Sequence, residues 1–311
     1  MWLVPAIFPM PQRNNGASGP GANPYGTGAA FWPRLAAILA VGGVVMLFGM
    51  IVAAALPALL QPGDASPFDW TWQPYEGHFG ILAMCVGSLA LASFALLLGW
   101  PLAFAIACWL MTEESGPGRH CVKVVGGLVR FMTTIPTVVY GFAAVFLLTP
   151  LVRSAVGGSG MCLLSAGIML MLLVLPTMIL MLETGLAPRL EGLCPFGLAL
   201  GFSRLQLLWH CVLPGAGRTL TASAVLGFGR AAGDTLLPLM LAGNAVTLPS
   251  HLADSLRSLT AHMAMVTANE VGGAAYNSLF VAGFVLLLGN AVISLVLRRL
   301  CSTNPAKAAT Q

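Results

Sequence analysis

LTASAVLGFGRAAGDTLLPLML, residues 220–241, is apolar enough and, at 1.5 Å per residue, long enough to cross a bilayer core of about 30 Å. It nevertheless contains Arg230 and Asp234. A helix that enters the hydrocarbon near Thr219 or Leu220 carries Arg230 roughly 15 Å in, with Asp234 one turn further along the same face. The two side chains can pair there. An unpaired charge at that depth costs from about 2.5 to more than 10 kcal/mol, so such residues face a bundle interior or a wet cavity. Two roles are open, a neutralised pair that holds helices together and a part of a solute path. Gly229 and Gly233, four apart beside these charges, allow another helix to approach closely.

The chain as a whole is 58% hydrophobic and 8% charged, with a mean hydropathy of +0.87. Its apolar runs are too long and too numerous for a soluble core, and the chain reads as an all-α polytopic membrane protein. The seven cysteines show no CxxC and no Cys/His metal spacing, so neither disulfides nor a metal is expected. Lys123 and Lys307, the only lysines, follow no Gly-rich phosphate loop. No cofactor is expected on this chain, and any ATP has to be hydrolysed elsewhere. Nothing in it addresses nucleic acid. Nor is there a Ser/His/Asp, HExxH or paired-carboxylate constellation at membrane depth, which argues against an enzyme.

Hydropathy predicts six spans, at about 35–60, 79–111, 121–149, 161–182, 212–242 and 275–298. Residues 1–33, rich in Pro, Gly, Asn and Ala, read as a disordered tail rather than a signal peptide. Residues 34–78 hold the first span and an outer loop, 79–300 the core, and 301–311 a second tail. With the N-terminus inside, cytoplasmic segments hold Arg13, Arg34, Arg119, Lys123, Arg189, Arg204, Arg218, Arg298, Arg299 and Lys307. The outer loops then hold only Arg153 and Arg257. That asymmetry places both termini in the cytoplasm.

Trp70, Trp72 and Tyr75 in the first outer loop suit the interface between lipid headgroups and water. The long last loop, Gly243 to Tyr276, is expected to hold a helix of its own and can dock an external partner. His251 and His262 within it read as members of a solvated loop. In the third span, Arg130 precedes Thr133-Thr134-Ile135-Pro136-Thr137 and Tyr140-Gly141. Proline frees a backbone carbonyl and kinks or breaks a helix, and in membranes such breaks line cavities or are satisfied by Ser and Thr. Thr134 and Thr137 are therefore either back-bonded to their own helix or donors beside an anion. Arg130 either snorkels to the interface or adds positive charge inside the bundle, and a cavity holding Arg130, Arg230 and Asp234 suits an anion.

Gly201-Phe202-Ser203-Arg204, then Trp209, then Val212-Leu213-Pro214 resembles the coupling motif of binding-protein-dependent ABC importer permeases, a pattern of Glu-Ala-Ala, then Gly, then a hydrophobic-x-Leu-Pro ending. A short amphipathic helix ending at Pro214, with Phe196, Leu200, Leu205, Leu208 and Trp209 apolar, also suits a hydrophobic groove on a soluble partner. Ile135-Pro136-Thr137-Val138-Val139-Tyr140-Gly141 resembles the Ile-Pro-Ser-Val-Val-Tyr-Gly of phosphate permeases of the Pst type. Gly227-Phe228-Gly229-Arg230-Ala231-Ala232-Gly233-Asp234-Thr235 is similar to that family's Gly-Arg-Ala-x-Gly-Glu-Thr. Gly243-Asn244 and Leu259-Thr260-Ala261-His262 make the chain PstC-like more than PstA-like. The resemblance spans roughly residues 68–300.

It implies a type I ABC importer permease of MetI-like architecture: six transmembrane helices with a cytoplasmic coupling helix, in the bacterial inner membrane. The implied partners are a second, homologous permease, two cytoplasmic ATPase subunits, an extracytoplasmic phosphate-binding protein, and membrane lipid. Arg230 would serve the anion or its gating, Asp234 would be its partner, and the segment from Phe196 to Leu213 would couple to the ATPase, with Glu191, Gly201, Arg204, Trp209 and Pro214 among its residues. There are departures. The Glu-Ala-Ala position falls on Pro195-Phe196-Gly197, with Glu191 one turn earlier, Asp234 replaces a Glu, and Arg130 stands where the family pattern has an acidic residue. Another oxyanion, molybdate, tungstate or sulfate, is the alternative cargo, and an ATP-independent channel is the rival of a different class.

Overall fold

The computed structural model describes residues 31–60, 68–113, 118–269 and 273–302. The expectations for the tail up to residue 30, for 61–67 and for the tail from 303 onward lie outside the described residues. The chain divides into two units, Met1–Met50 and Ile51–Gln311. Helix α1 (Phe31–Leu60) has Ile38, Val41, Val45 and Met46 exposed in the first unit. A helix apolar all round with its side chains uncovered is one whose solvent is hydrocarbon.

In the second unit a β-hairpin pairs β1 (Trp72–Gln73) with β2 (His78–Phe79) across a 3-10 turn. Then follow α2 (Leu82–Thr112), α3 (Arg119–Met132), α4 (Thr137–Val156), α5 (Leu163–Ala199), α6 (Arg204–Leu207), α7 (Gly217–Ala232), α8 (Leu236–Leu241), α9 (Leu259–Asn269) and α10 (Gly273–Ser302). The centre is α2, α5 and α7 packed against one another, with Leu91, Ala95, Leu170, Met178, Leu182 and Phe228 buried between them. Where the surroundings are as apolar as the side chains, close packing and interhelical hydrogen bonds hold helices together. The Trp100 indole on α2 supplies such bonds, donating toward Ser223 Oγ at 3.2 Å and the Leu220 carbonyl at 3.3 Å on α7.

Among the described residues five helices are long and apolar enough to cross a membrane: within α1, α2, α4, α5 and α10. Two of the spans expected from hydropathy take another form. The third is not one helix over 121–149, because α3 stops at Met132 and α4 starts at Thr137. Pro136, extended at ψ 142, separates them. The α3 segment is amphipathic, burying Val122 and Val129 while Arg119, His120 and Lys123 stay exposed. The span expected over 212–242 is likewise divided into α7 and α8 at Gly233-Asp234-Thr235. At 1.5 Å per residue α7 alone reaches only about 24 Å, short of a bilayer core of about 30 Å.

Candidate functional site

The two broken helices meet. Helix α4 packs on α8, and the approach is close because residue 141 is glycine: a Cβ there would sit 2.7 Å from Met240 Sδ. Each break has the same physical origin. In a helix the carbonyl of residue i takes the N–H of residue i+4, and proline has none. Pro136 thus leaves the Met132 carbonyl without its donor, and the Tyr140 hydroxyl donates to it at 2.9 Å. Pro238 does the same to the Asp234 carbonyl, to which the Thr260 hydroxyl of α9 donates at 2.8 Å.

Arg230 lies in the last turn of α7 on an exposed face with Leu226, Gly229 and Gly233. A Cβ at Gly229 would meet nothing within 4 Å among the described residues, so no close helix approach is made at that small residue within this unit. Asp234 does not close an ion pair with Arg230 among the described residues. Its carboxylate instead accepts the Leu237 N–H at 2.9 Å, tying off the first turn of α8. The pairing expected from the one-turn spacing fails because the helix ends between them and the carboxylate is drawn to unpaired amides.

Arg130 sits elsewhere. It lines a cavity of about 420 Å³ with Glu183, Glu191 and Arg204, on the side of the bundle where α5 ends. Among the described residues lining this cavity Arg130 is joined by two acids and a second Arg, and neither Arg230 nor Asp234 lines it. The Thr134 hydroxyl donates back to the Phe131 carbonyl at 2.7 Å, as Thr133 does to Arg130. Thr137 opens α4, half-buried.

The 196–214 segment is a helical hairpin. Helix α5 ends in a motif that needs a left-handed residue: the Phe202 N–H reaches the Gly197 carbonyl at 3.0 Å and the Gly201 N–H reaches Leu198 at 3.1 Å, with Gly201 at φ 86°. Ser203 and Gln206 then form a capping box that starts α6, followed by a π turn over Leu208–Val212 and a 3-10 turn over Leu213–Gly215. Gly197 lies so close to Leu207 that a Cβ would overlap it, which accounts for a glycine in place of alanine. Arg189 donates to the Gly215 carbonyl at 2.9 Å and fixes the far end. Phe196, Leu200 and Trp209 point outward, 73%, 76% and 53% exposed. Trp209 also meets Phe104 edge-on, and Phe104 stacks on Trp100.

At the opposite end His262 corrects its expected solvation. It is fully buried, edge-on to Trp72 at 4.3 Å between ring centroids, with both ring nitrogens unpartnered. Burial, with a smaller effect from Arg257, pushes its imidazole down to about 4. Trp72 is half-buried, edge-on to both Phe79 and His262. His251 is exposed as expected, and α9 is the helix expected in that loop. Tyr140, Thr260 and Arg189 were not singled out as site residues. The rule that proline orphans the carbonyl four residues back would have exposed Tyr140, whereas Thr260 lies 26 residues from its partner and leaves no local signal.

Residues 95–301 match the model of the family described as binding-protein-dependent transport system inner membrane component. The chain is 28% identical to the probable ABC transporter permease protein YqgH of Bacillus subtilis, covering 86% of this chain and 87% of that protein. It is also 28% identical to the phosphate transport system permease protein PstC of Xylella fastidiosa, covering 84% and 88%. The probable PstC of Methanocaldococcus jannaschii is 25% identical, with 81% and 86% covered. A bacterial ABC transporter involved in import of the acidic polysaccharide alginate shares the fold at a TM-score of 0.59 and 14% identity, over 88% of this chain and 96% of that one.

Proposed function

We propose that this chain, which belongs to the family of binding-protein-dependent transport system inner membrane components, is the PstC-like permease of an ATP-driven importer of inorganic phosphate. The observation that carries the reading is Arg230: a guanidinium at a break in a membrane-depth helix, on a face left exposed among the described residues, and, among those residues, free of an ion pair with the neighbouring Asp234. A cation held there attracts an anion. The names of the PstC relatives supply phosphate as the anion.

In this reading the exposed face of α7, with Leu226, Gly229 and Gly233, receives the second permease, and Arg230 lines the path between the two. Both termini lie in the cytoplasm, so the 196–214 hairpin faces two ATPase subunits while the β-hairpin and α9 face the phosphate-binding protein. Phe196, Leu200 and Trp209 enter a groove on the ATPase, and the Trp209–Phe104–Trp100 contacts carry its movement to α2 and α7. ATP is bound and hydrolysed by the partners alone.

The test is Arg230→Gln in the assembled transporter. Uptake of phosphate should collapse while ATPase association persists; undiminished uptake removes Arg230 from the path. Loss of ATPase association on exchange of Phe196 and Trp209 for Ser tests the hairpin separately.

A further inference from the structure

The two helix breaks share a device that neither the family nor the transport reading assigns to any residue. At each, a proline removes the N–H that a carbonyl needs, and a hydroxyl from another part of the chain takes its place: Tyr140 on the Met132 carbonyl and Thr260 on the Asp234 carbonyl. An unsatisfied carbonyl in hydrocarbon costs several kcal/mol, so these hydroxyls hold the breaks at one geometry. The breaks flank Arg230. One side is the α3–α4 corner, where α4 packs on α8 at Gly141 and Met240; the other is the α7–α8 corner, which begins directly after the turn that carries Arg230.

Thr260 is buried, 6% exposed, near the start of α9. The same helix holds buried His262 against Trp72 of the β-hairpin. The Leu259 N–H donates to Ser88 Oγ on α2 at 2.7 Å, next to the latch. Any displacement of this loop is therefore applied to the Asp234 carbonyl without an intervening flexible segment.

We propose that Tyr140 and Thr260 are positioning residues, hydroxyl latches that set the angles of the two broken helices around Arg230. Through Thr260, the loop at the β-hairpin end of the bundle is mechanically joined to the α7–α8 break. Neither hydroxyl contacts the transported anion in this account. They act on the rate at which the wall changes shape, not on affinity. This rests on the transport reading above.

Thr260→Val keeps the shape and removes the hydroxyl; Thr260→Ser keeps the hydroxyl. Tyr140→Phe is the matching change at the other break. In proteoliposomes with the cognate partners, Thr260→Val and Tyr140→Phe should each lower the maximal uptake rate about fivefold, the factor expected for one lost hydrogen bond, with KM for the loaded binding protein unchanged. Thr260→Ser should retain the wild-type rate. The Leu239 N–H already reaches the Thr235 carbonyl at 3.1 Å, so an amide at 238 falls in register with Asp234. Pro238→Ala should accordingly restore the rate of Thr260→Val.

Spin labels at Lys123 and Leu147 report the α3–α4 angle without substrate or partners. Their distance distribution should broaden in Tyr140→Phe. A raised KM at constant maximal rate would make the hydroxyls anion ligands and overturn the proposal. So would an unchanged distance distribution, or failure of Pro238→Ala to rescue. A wild-type assembly without phosphate uptake overturns the transport reading instead, and the spin-label comparison still decides the latch.

Discussion

Replacing Gly201 probes the hairpin with a purely torsional perturbation. Its φ of 86° lies in the left-handed region, where a residue with a Cβ pays about 1–2 kcal/mol. A Cβ built at this position meets no heavy atom within 4 Å, so no steric term is added. The cost falls on the two bonds that close α5, from Phe202 to Gly197 and from Gly201 to Leu198. At about 1.4 kcal/mol per factor of ten, Gly201→Ala should open the hairpin roughly 5- to 30-fold more often. Asn, which visits this region with less strain, should cost less than Ala, and the β-branched Val more. Hydrogen exchange of the amides between 197 and 207, measured in detergent, reads the opening directly. Exchange should accelerate in the order Gly, Asn, Ala, Val, and affinity for the ATPase should fall in the same order. Unchanged exchange in Gly201→Ala, or Asn as damaging as Val, would refute the torsional account.

Arg230→Gln should cut phosphate uptake about 10- to 100-fold, the range for a lost charge-assisted hydrogen bond, with Arg230→Lys falling between; transport kinetics at fixed ATPase content check it. Gly141→Ala places a Cβ against Met240 Sδ, a flexible neighbour, so thermal unfolding in detergent should show about 1 kcal/mol of destabilisation, and Gly141→Val more. For His262 the folded group holds its proton only down near pH 4 against an ordinary 6.5. The unfolded chain therefore binds more protons between those values, and stability falls as pH drops through that window, by on the order of 3 kcal/mol. Thermal unfolding between pH 7 and pH 4 should lose part of its pH dependence in His262→Leu; parallel curves would show that His262 does not titrate as described.

The membrane class and most helices were legible because hydrocarbon demands long uninterrupted apolar runs, and α2, α5 and α10 supply them. The divided helices were legible only in part. Pro136 announced one break, and Pro238 by the same rule bears on the other, but the tertiary donor Thr260 that takes the Asp234 carbonyl leaves no local mark. Arg230 and Asp234 were singled out from their depth, whereas their failure to pair depends on a helix end that one-turn spacing cannot reveal. Arg130 was read together with Arg230 and Asp234, whereas the cavity it lines also holds Glu183 and Glu191, and the end of α3 at Met132 is not visible in hydropathy. In the 196–214 segment Gly201 was recognised by motif, and its left-handed torsion gives the reason. The burial of His262 comes from Trp72, a residue 190 positions earlier by number, and no local pattern encodes it.

The most direct measurement is radiolabelled phosphate uptake into proteoliposomes that hold this chain, a second permease and the ATPase, with binding protein outside and ATP inside, challenged by excess sulfate and molybdate. The account predicts uptake that requires ATP and resists both competitors. Uptake abolished by molybdate would assign a different oxyanion, and uptake indifferent to ATP would contradict the coupling role of the 196–214 hairpin.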